Sequence, residues 1–303
     1  MESIIRSAFT IDVECGINIS MRDYFKKEMP PTERVVSNTH TILRLLQKHE
    51  TPATFFVLGD VAKHFPSLIK EIAADGHEIG VHSYAHHQLF KLSPEEAYKD
   101  TKLAKEVIEN ITGSRAEGFR APAFSLMPKT SWALPMLAEL GFSYDSSIMP
   151  VHTGRYGWPG FPDTISNIDL QNGQSIVEFP LSVSTFLNKQ IPSSGGGYLR
   201  LFPYWFTAKA FAAINEKKPV NVYMHPYEID TEKYPDYFFD AMNTLPLLRK
   251  LKLKTYRINK GTVLHKLDSL LSNFSFDTMK NIIDSYKTQN KMQQLRLDEL
   301  LKK

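Results

Sequence analysis

The chain has 303 residues, of which 42% are hydrophobic and 23% charged, and its formal net charge is +3. This is the composition of a globular protein able to bury a core. So small a net charge, with no Lys/Arg run or stripe to set against it, gives no case for a nucleic-acid partner. No stretch approaches the roughly 18 uninterrupted apolar residues of a membrane span. Cys15 is the only cysteine, which excludes an intrachain disulfide and fits a reducing compartment. The opening MESIIRSAFTIDVE lacks a basic segment followed by an apolar run and a small-residue cleavage site, so a cytoplasmic enzyme is expected.

Along the chain, short β-branched and aromatic runs alternate with longer segments of helical period. Strands are expected over residues 4–11, 53–58, 78–82, 118–119, 142–145, 176–180, 220–224 and 254–257, and helices over 32–48, 60–75, 93–112, 130–140, 203–216 and 236–251. Such alternation argues a parallel sheet, most economically closed as a barrel. Ser93-Pro94-Glu95-Glu96 supplies an N-cap serine, a first-turn proline and a glutamate three residues on. Gly76, Gly113 and Gly141 sit where helices should end.

Residues 150–175 are rich in Gly, Pro, Asn and Asp and read as long loops over one face. The run Ser194-Gly195-Gly196-Gly197-Tyr198 has no accompanying phosphate-loop lysine pattern, so a loop beside the active site is the better reading than a phosphate cradle. The expected organisation is a catalytic barrel over residues 1–260 and a helical extension over 261–303. The extension is amphipathic and is expected to pack on the barrel's outside, with a peripheral or homo-oligomer contact as the alternative.

Chemistry concentrates at the ends of the strands. His82-Ser83-Tyr84-Ala85-His86 follows one of them. If the chain turns helical there, His82 and His86 share a face and can share a metal, and imidazole suits zinc. His87 would point away. The first strand ends Thr10-Ile11-Asp12-Val13-Glu14, and Asp12 and Glu14, two apart, would face one side. One can bind metal while the other acts as base. Arg120 follows another short strand, and His225 ends the apolar run Val220-Asn221-Val222-Tyr223-Met224. In α/β barrels, catalytic groups gather at such C-terminal strand ends.

In this order the segments resemble the polysaccharide deacetylase family, carbohydrate esterase family 4. Its Thr-Phe-Asp-Asp strand end resembles Thr10 to Glu14, its His-Ser/Thr-x-x-His is matched by His82 to His86, its Arg-x-Pro by Arg120-Ala121-Pro122, and its Leu-x-His by Tyr223-Met224-His225. Gly195-Gly196-Gly197-Tyr198 and His225-Pro226-Tyr227-Glu228 further resemble a bacterial subgroup associated with exopolysaccharide or O-antigen biosynthesis.

The resemblance implies an α/β fold, a distorted (β/α)7-type barrel, and hydrolysis of N-acetyl groups from an N-acetylated sugar with a divalent metal, zinc by expectation. Val13 stands where the family has its second aspartate, a metal ligand. The implied ligand set is therefore Glu14, His82 and His86, with Asp12 as ligand should Glu14 point away. The implied catalytic groups are Asp12 as base, Arg120 as its partner and His225 as acid, with the oxyanion held near Ala123. The third motif has Phe124 where the family has a glycine, and Asp145 and Trp158 are candidates near the fourth, which has no clear match. Aromatic candidates for stacking on sugar are Tyr84, Phe124, Trp158, Tyr198 and Trp205. The rivals are an allantoinase-like hydrolase of a small amide and an inactive saccharide-binding relative, the latter favoured by Val13.

Overall fold

The computed structural model describes residues 5–186, 189–192 and 195–302; Ile4, Ser193 and Ser194, within segments singled out above, lie outside them. Strands are β1 (Ser7–Val13), β2 (Thr54–Val57), β3 (Glu78–Val81), β4 (Gly118–Phe119), β5 (Tyr144–Asp145), β6 (Ser166–Asp169), β7 (Ser175–Glu178), β8 (Val183–Phe186), β9 (Lys189–Pro192), β10 (Asn221–Met224), β11 (Phe276–Asp277) and β12 (Gln293–Arg296). The helices are α1 (Gly16–Phe25), α2 (Arg34–Lys48), α3 (Gly59–His64), α4 (Pro66–Ala74), α5 (Pro94–Thr112), α6 (Ala133–Glu139), α7 (Gly197–Leu201), α8 (Tyr204–Asn215), α9 (Asp236–Asn243), α10 (Leu247–Thr255), α11 (Val263–Asn273), α12 (Met279–Thr288) and α13 (Leu297–Leu300).

Strands β10, β1, β2, β3, β4, β5 and β7 pair in that order, each parallel to the next. This is the expected α/β architecture. The ring is distorted because, among the described residues, no ladder joins β7 to β10. Side chains bridge that seam: Asn221 Nδ2 donates to Ser146 Oγ at 3.0 Å and to the carbonyls of Phe179 at 3.3 Å and Pro180 at 3.1 Å, while Ser182 Oγ accepts from Asn221 N–H at 2.9 Å.

Alternation along the strands divides the core in two. Phe9, Ile11 and Val13 pack outward with Phe55, Val57, Val81 and Phe119 beneath the helices. Ala8 joins Phe56, Tyr144 and Phe179 in a second, separate cluster. Gly118 leaves room for the Tyr144 ring, which would lie 2.2 Å from a Cβ placed there.

Several expectations need correction. Residues 254–257 are not a strand: they finish α10 and the turn after it, because the helix begun after Pro246 runs on with no sheet neighbour. The helices expected over 60–75 and 236–251 are each split at a proline, Pro66 and Pro246, where a missing N–H ends one helix and suits the start of the next. Helix α1 and the antiparallel strand β6 were not expected.

The segment 261–303 is not wholly helical, since β11 pairs with β1 and β12 with β6. Nor does it lie only outside. Met279, Ile282 and Ile283 of α12 join the second cluster, and Met279 N–H donates to Thr54 Oγ1 and Lys280 N–H to Glu78 Oε2, at the N-terminal ends of β2 and β3. Helix α12 thus plugs the end of the ring opposite the strand ends that carry the chemistry.

Asp145 and Glu178 are register partners on β5 and β7, and both are fully buried. Burial and the neighbouring Asp145 push Glu178 well above the usual carboxylate range. The folded chain therefore holds a proton that the unfolded chain releases above about pH 4.3, and stability falls as pH rises from there through the folded pKa. Glu178→Gln keeps the acceptor for Ile148 N–H and removes the titration. Thermal unfolding at acidic, neutral and alkaline pH is expected to show the variant's advantage growing with pH; a constant difference would count against the buried proton.

Candidate metal centre and active site

Every residue of β1 is buried, and the strand delivers two carboxylates into the ring at its C-terminal end. Glu14 Oε1 lies 2.9 Å from His82 Nε2 and 3.0 Å from His86 Nε2. Asp12 is turned to Arg120 instead, with Oδ1 2.7 Å from Nη1. Val13 packs outward in the core, so its replacement of an acidic residue removes nothing from this side of the strand. Of the two alternatives left open above, the geometry brings Glu14 to the imidazoles.

The two histidines do not share a helical face. Residues 82–88 form an irregular loop in which Ser83 and His86 have φ of +65° and +59°. These left-handed residues fold the loop back and bring the rings to 5.5 Å between centroids. The loop is fixed from outside: Asp100 accepts from Tyr84 N–H at 2.8 Å, Ser83 Oγ accepts from His86 N–H at 3.1 Å, and Arg22 donates to the Ala85 carbonyl. Arg22 and Asp100 escaped the sequence reading because neither lies in a motif. His87 does point away, toward Asp100.

Donor chemistry and geometry suit a divalent ion. Glu14, His82 and His86 offer one oxygen and two nitrogens within 4.8 Å of one another. His82 Nδ1 is 2.7 Å from the Arg120 carbonyl, the outer hydrogen bond that fixes a ligating imidazole. Burial pushes the Glu14 carboxyl up, but His86, His225 and the hydrogen bond from His82 outweigh it and hold the group well below the usual range. It is ionised at neutral pH, as a ligand must be.

Arg120 is fully buried and paired with Asp12. It donates to Thr10 Oγ1 and Asp12 Oδ1 at 2.7 Å each, to the Ser146 carbonyl at 3.0 Å and Oγ at 2.9 Å, and to Asn221 Oδ1 at 3.3 Å. Its guanidinium lies 4.2 Å from the Phe56 ring centroid. One side chain thus ties β1 to the residues that follow β4 and β5 and to β10.

His225 Nε2 lies 3.8 Å from Asp12 Oδ2 and 4.0 Å from Glu14 Oε1. Its ring stacks on Tyr227 at 4.8 Å, and Nδ1 is 3.5 Å from Glu228 Oε2. Burial depresses the imidazole pKa, but Glu14, Glu228 and Asp12 raise it further, to about 9.

A cavity of about 250 Å³ opens over these groups. Phe124 and Ala123 line it; both have left-handed backbones, with φ of +50° and +52°. Of the other aromatic candidates, Tyr84 packs against the core, Trp158 is buried against Phe161, Tyr198 sits beside Phe202, and Trp205 is 67% exposed; none lines the cavity. Asp145 and Trp158 likewise stand away from it. The rings that do line it include Tyr24, Tyr156, Tyr227 and Tyr256, drawn from separate segments with no common motif. Gln88, whose buried Oε1 has no hydrogen-bond partner, also lines it. Gly196 and Gly197 border the cavity, and a Cβ on Gly195 would fall 2.0 Å from the Tyr223 carbonyl. The glycine run therefore serves close backbone approach.

Residues 28–144 match the family model for polysaccharide deacetylase. Residues 146–284 match a model described as a domain of unknown function, DUF3473. Among curated relatives, a peptidoglycan-N-acetylglucosamine deacetylase of Bacillus cereus is 32% identical over 164 residues, covering 54% of this chain and 53% of the relative. The peptidoglycan-N-acetylmuramic acid deacetylase PdaC of Bacillus subtilis is 37% identical over 86 residues, 28% of this chain and 18% of that protein. The chain thus spans about half the length of the first relative and far less of the second. A Mycobacterium smegmatis structure assigned as a polysaccharide deacetylase superposes with a TM-score of 0.64 at 20% identity, covering 97% of this chain and 94% of that one. Puue allantoinase superposes with a TM-score of 0.63 at 15% identity, covering 95% and 92%. The deacetylase fold is thereby shared.

Proposed function

We propose that the chain is a metal-dependent N-deacetylase of an N-acetylated saccharide, with Glu14, His82 and His86 as ligands. The observation that carries this reading is the Glu14 carboxylate within 3.0 Å of two imidazoles, beside a carboxylate and a third imidazole. Two nitrogen ligands favour zinc, and a bound divalent ion supplies Lewis acidity toward the amide carbonyl and water.

Asp12, oriented by the hydrogen bond from Arg120 Nη1 to its Oδ1, accepts the proton of the attacking water. The acetyl carbon–nitrogen bond breaks, water's oxygen goes to acetate, and His225, with Glu228 beside its Nδ1, gives a proton to the departing amine. Ala123 N–H is placed by its left-handed backbone beside the cavity, where it can meet the developing oxyanion.

Relatives acting on peptidoglycan support an amino-sugar polymer as substrate class. The segments Gly195 to Tyr198 and His225 to Glu228 favour an exopolysaccharide or O-antigen intermediate. Cys15, buried and free, fits a cytoplasmic site of action, which fractionation of native cells would test.

Acetate release from N-acetylglucosamine oligomers and peptidoglycan fragments is the direct assay. Zinc-loaded protein is expected to release acetate, to stop on chelation and to recover with zinc. Stoichiometric zinc with no acetate from any saccharide, and turnover of allantoin, would replace this reading with the small-amide hydrolase.

A further inference from the structure

The chain's small net charge conceals a sharp local asymmetry. From Ala241 to Lys266 there is no acidic residue, while Arg249, Lys250, Lys252, Lys254, Arg257, Lys260 and Lys266 fall in that stretch. The absence of a basic run noted from composition therefore does not hold locally. Among the described residues, none of Arg249, Lys250, Lys254 and Arg257 has a carboxylate partner, though Arg257 lies over the Tyr234 and Phe239 rings. The acids of the preceding α9 are Asp236, paired with Lys233 at 3.1 Å, and Asp240.

Leucines stand out among these cations. Leu247 is 70% exposed, Leu248 80% and Leu251 49%, whereas Leu253 of the same helix is buried and lines the cavity. Arg200 joins α7 to this segment through the carbonyls of Thr255 and Ile258. On the α7 and α8 side the exposed apolar surface continues with Leu201 and Trp205, and next to α10 with Ile258. Protruding leucines interleaved with unpaired cations, beside an exposed tryptophan, are the chemistry of a helix lying in an anionic lipid interface.

We propose that α10 docks this protein on an anionic bilayer surface, its leucines entering the acyl boundary and its cations meeting the headgroups. Because Leu253 and Tyr256 also line the catalytic cavity, docking holds the cavity's mouth beside the lipid surface, where a saccharide carried on a membrane-embedded anchor is within reach. Charge complementarity favours lipid over a protein partner: the exposed face offers cations throughout and no acid of its own. The inference stands apart from the deacetylase reading, since lipid binding needs no turnover.

The test is co-sedimentation of the full chain with vesicles of phosphatidylcholine alone and of phosphatidylcholine mixed with phosphatidylglycerol. Partitioning is expected to be at least about tenfold stronger on the anionic vesicles, to fall with salt as the charges are screened, and to shift Trp205 emission to the blue. Leu248→Gln with Leu251→Gln is expected to abolish it, and Lys250→Glu with Lys254→Glu to weaken it severalfold. Leu248, Leu251 and Lys254 are exposed and Lys250 is half-buried, so circular dichroism and zinc content should stay as in the wild type. No partitioning onto anionic vesicles, equal partitioning onto both, or indifference to the leucine substitutions overturns the proposal. So does a stable dimer in light scattering that the leucine substitutions dissociate, which would give the face to a second copy.

Discussion

Glu14→Ala is expected to weaken zinc binding by about 100-fold or more, beyond the loss usual for an outer-sphere partner, and to abolish acetate release. The carboxylate lies within 3.0 Å of both imidazoles, whereas Asp12 turns Oδ1 to Arg120 and Oδ2 toward His225. Restoring the family's usual residue does not help: Glu14→Ala with Val13→Asp is expected to bind no more zinc than Glu14→Ala alone. Position 13 faces the apolar layer under the helices, so an aspartate there is an unpaired buried charge and lowers stability. Zinc titration with a competing chelator, beside thermal unfolding, reads both effects. Zinc retained by Glu14→Ala would remove Glu14 from the ligand set.

Asp12→Asn and Arg120→Met are expected to fail in different ways. Asparagine at 12 still accepts from Arg120 Nη1, so the fold and zinc content should survive while kcat falls by about 100- to 10,000-fold, the range for a lost general base. Arg120→Met leaves the Asp12 carboxylate buried without its cation and strips a donor from Thr10, Ser146 and Asn221. A cost of about 3–5 kcal/mol is expected, with activity lost alongside. Denaturant unfolding and single-turnover acetate release separate the two. Equal destabilisation by both substitutions would mean that Asp12, rather than Arg120, is the structural anchor.

The site was legible in the sequence wherever one residue type at a strand end decides the chemistry. Asp12, Glu14, His82, His86, Arg120 and His225 converge because parallel strands deliver their C-terminal ends to one face. The shared helical face on which His82 and His86 could have met is replaced by a loop, and its two left-handed non-glycine residues carry no signal in composition. Cavity-lining aromatics were mostly missed for a related reason. Trp158 and Tyr84 look alike in sequence whether they meet the core or the cavity, and loop geometry alone turned Tyr156 and Tyr256 inward. The strand expected at 254–257 shows the opposite failure, a local alternation overruled by the helix that begins after Pro246. Residues 261–303 read as an outer helical appendage because β11 is the bare pair Phe276-Asp277 and β12 is mostly polar and exposed, so neither carries the apolar run that marked the other strands.

The order in which the ring's members occur along the chain sets the order in which the site can assemble. Glu14, His82 and His86 all lie among the first 86 residues, on or beside β1 and β3, which only β2 separates. A nascent chain can therefore gather its ligand set long before β10 is made. Arg120's last tie, the side-chain seam at Asn221 and His225 itself must wait for β10, and the flank of β1 is finished only when β11 arrives. Ion capture and ring closure are thus separable events in time.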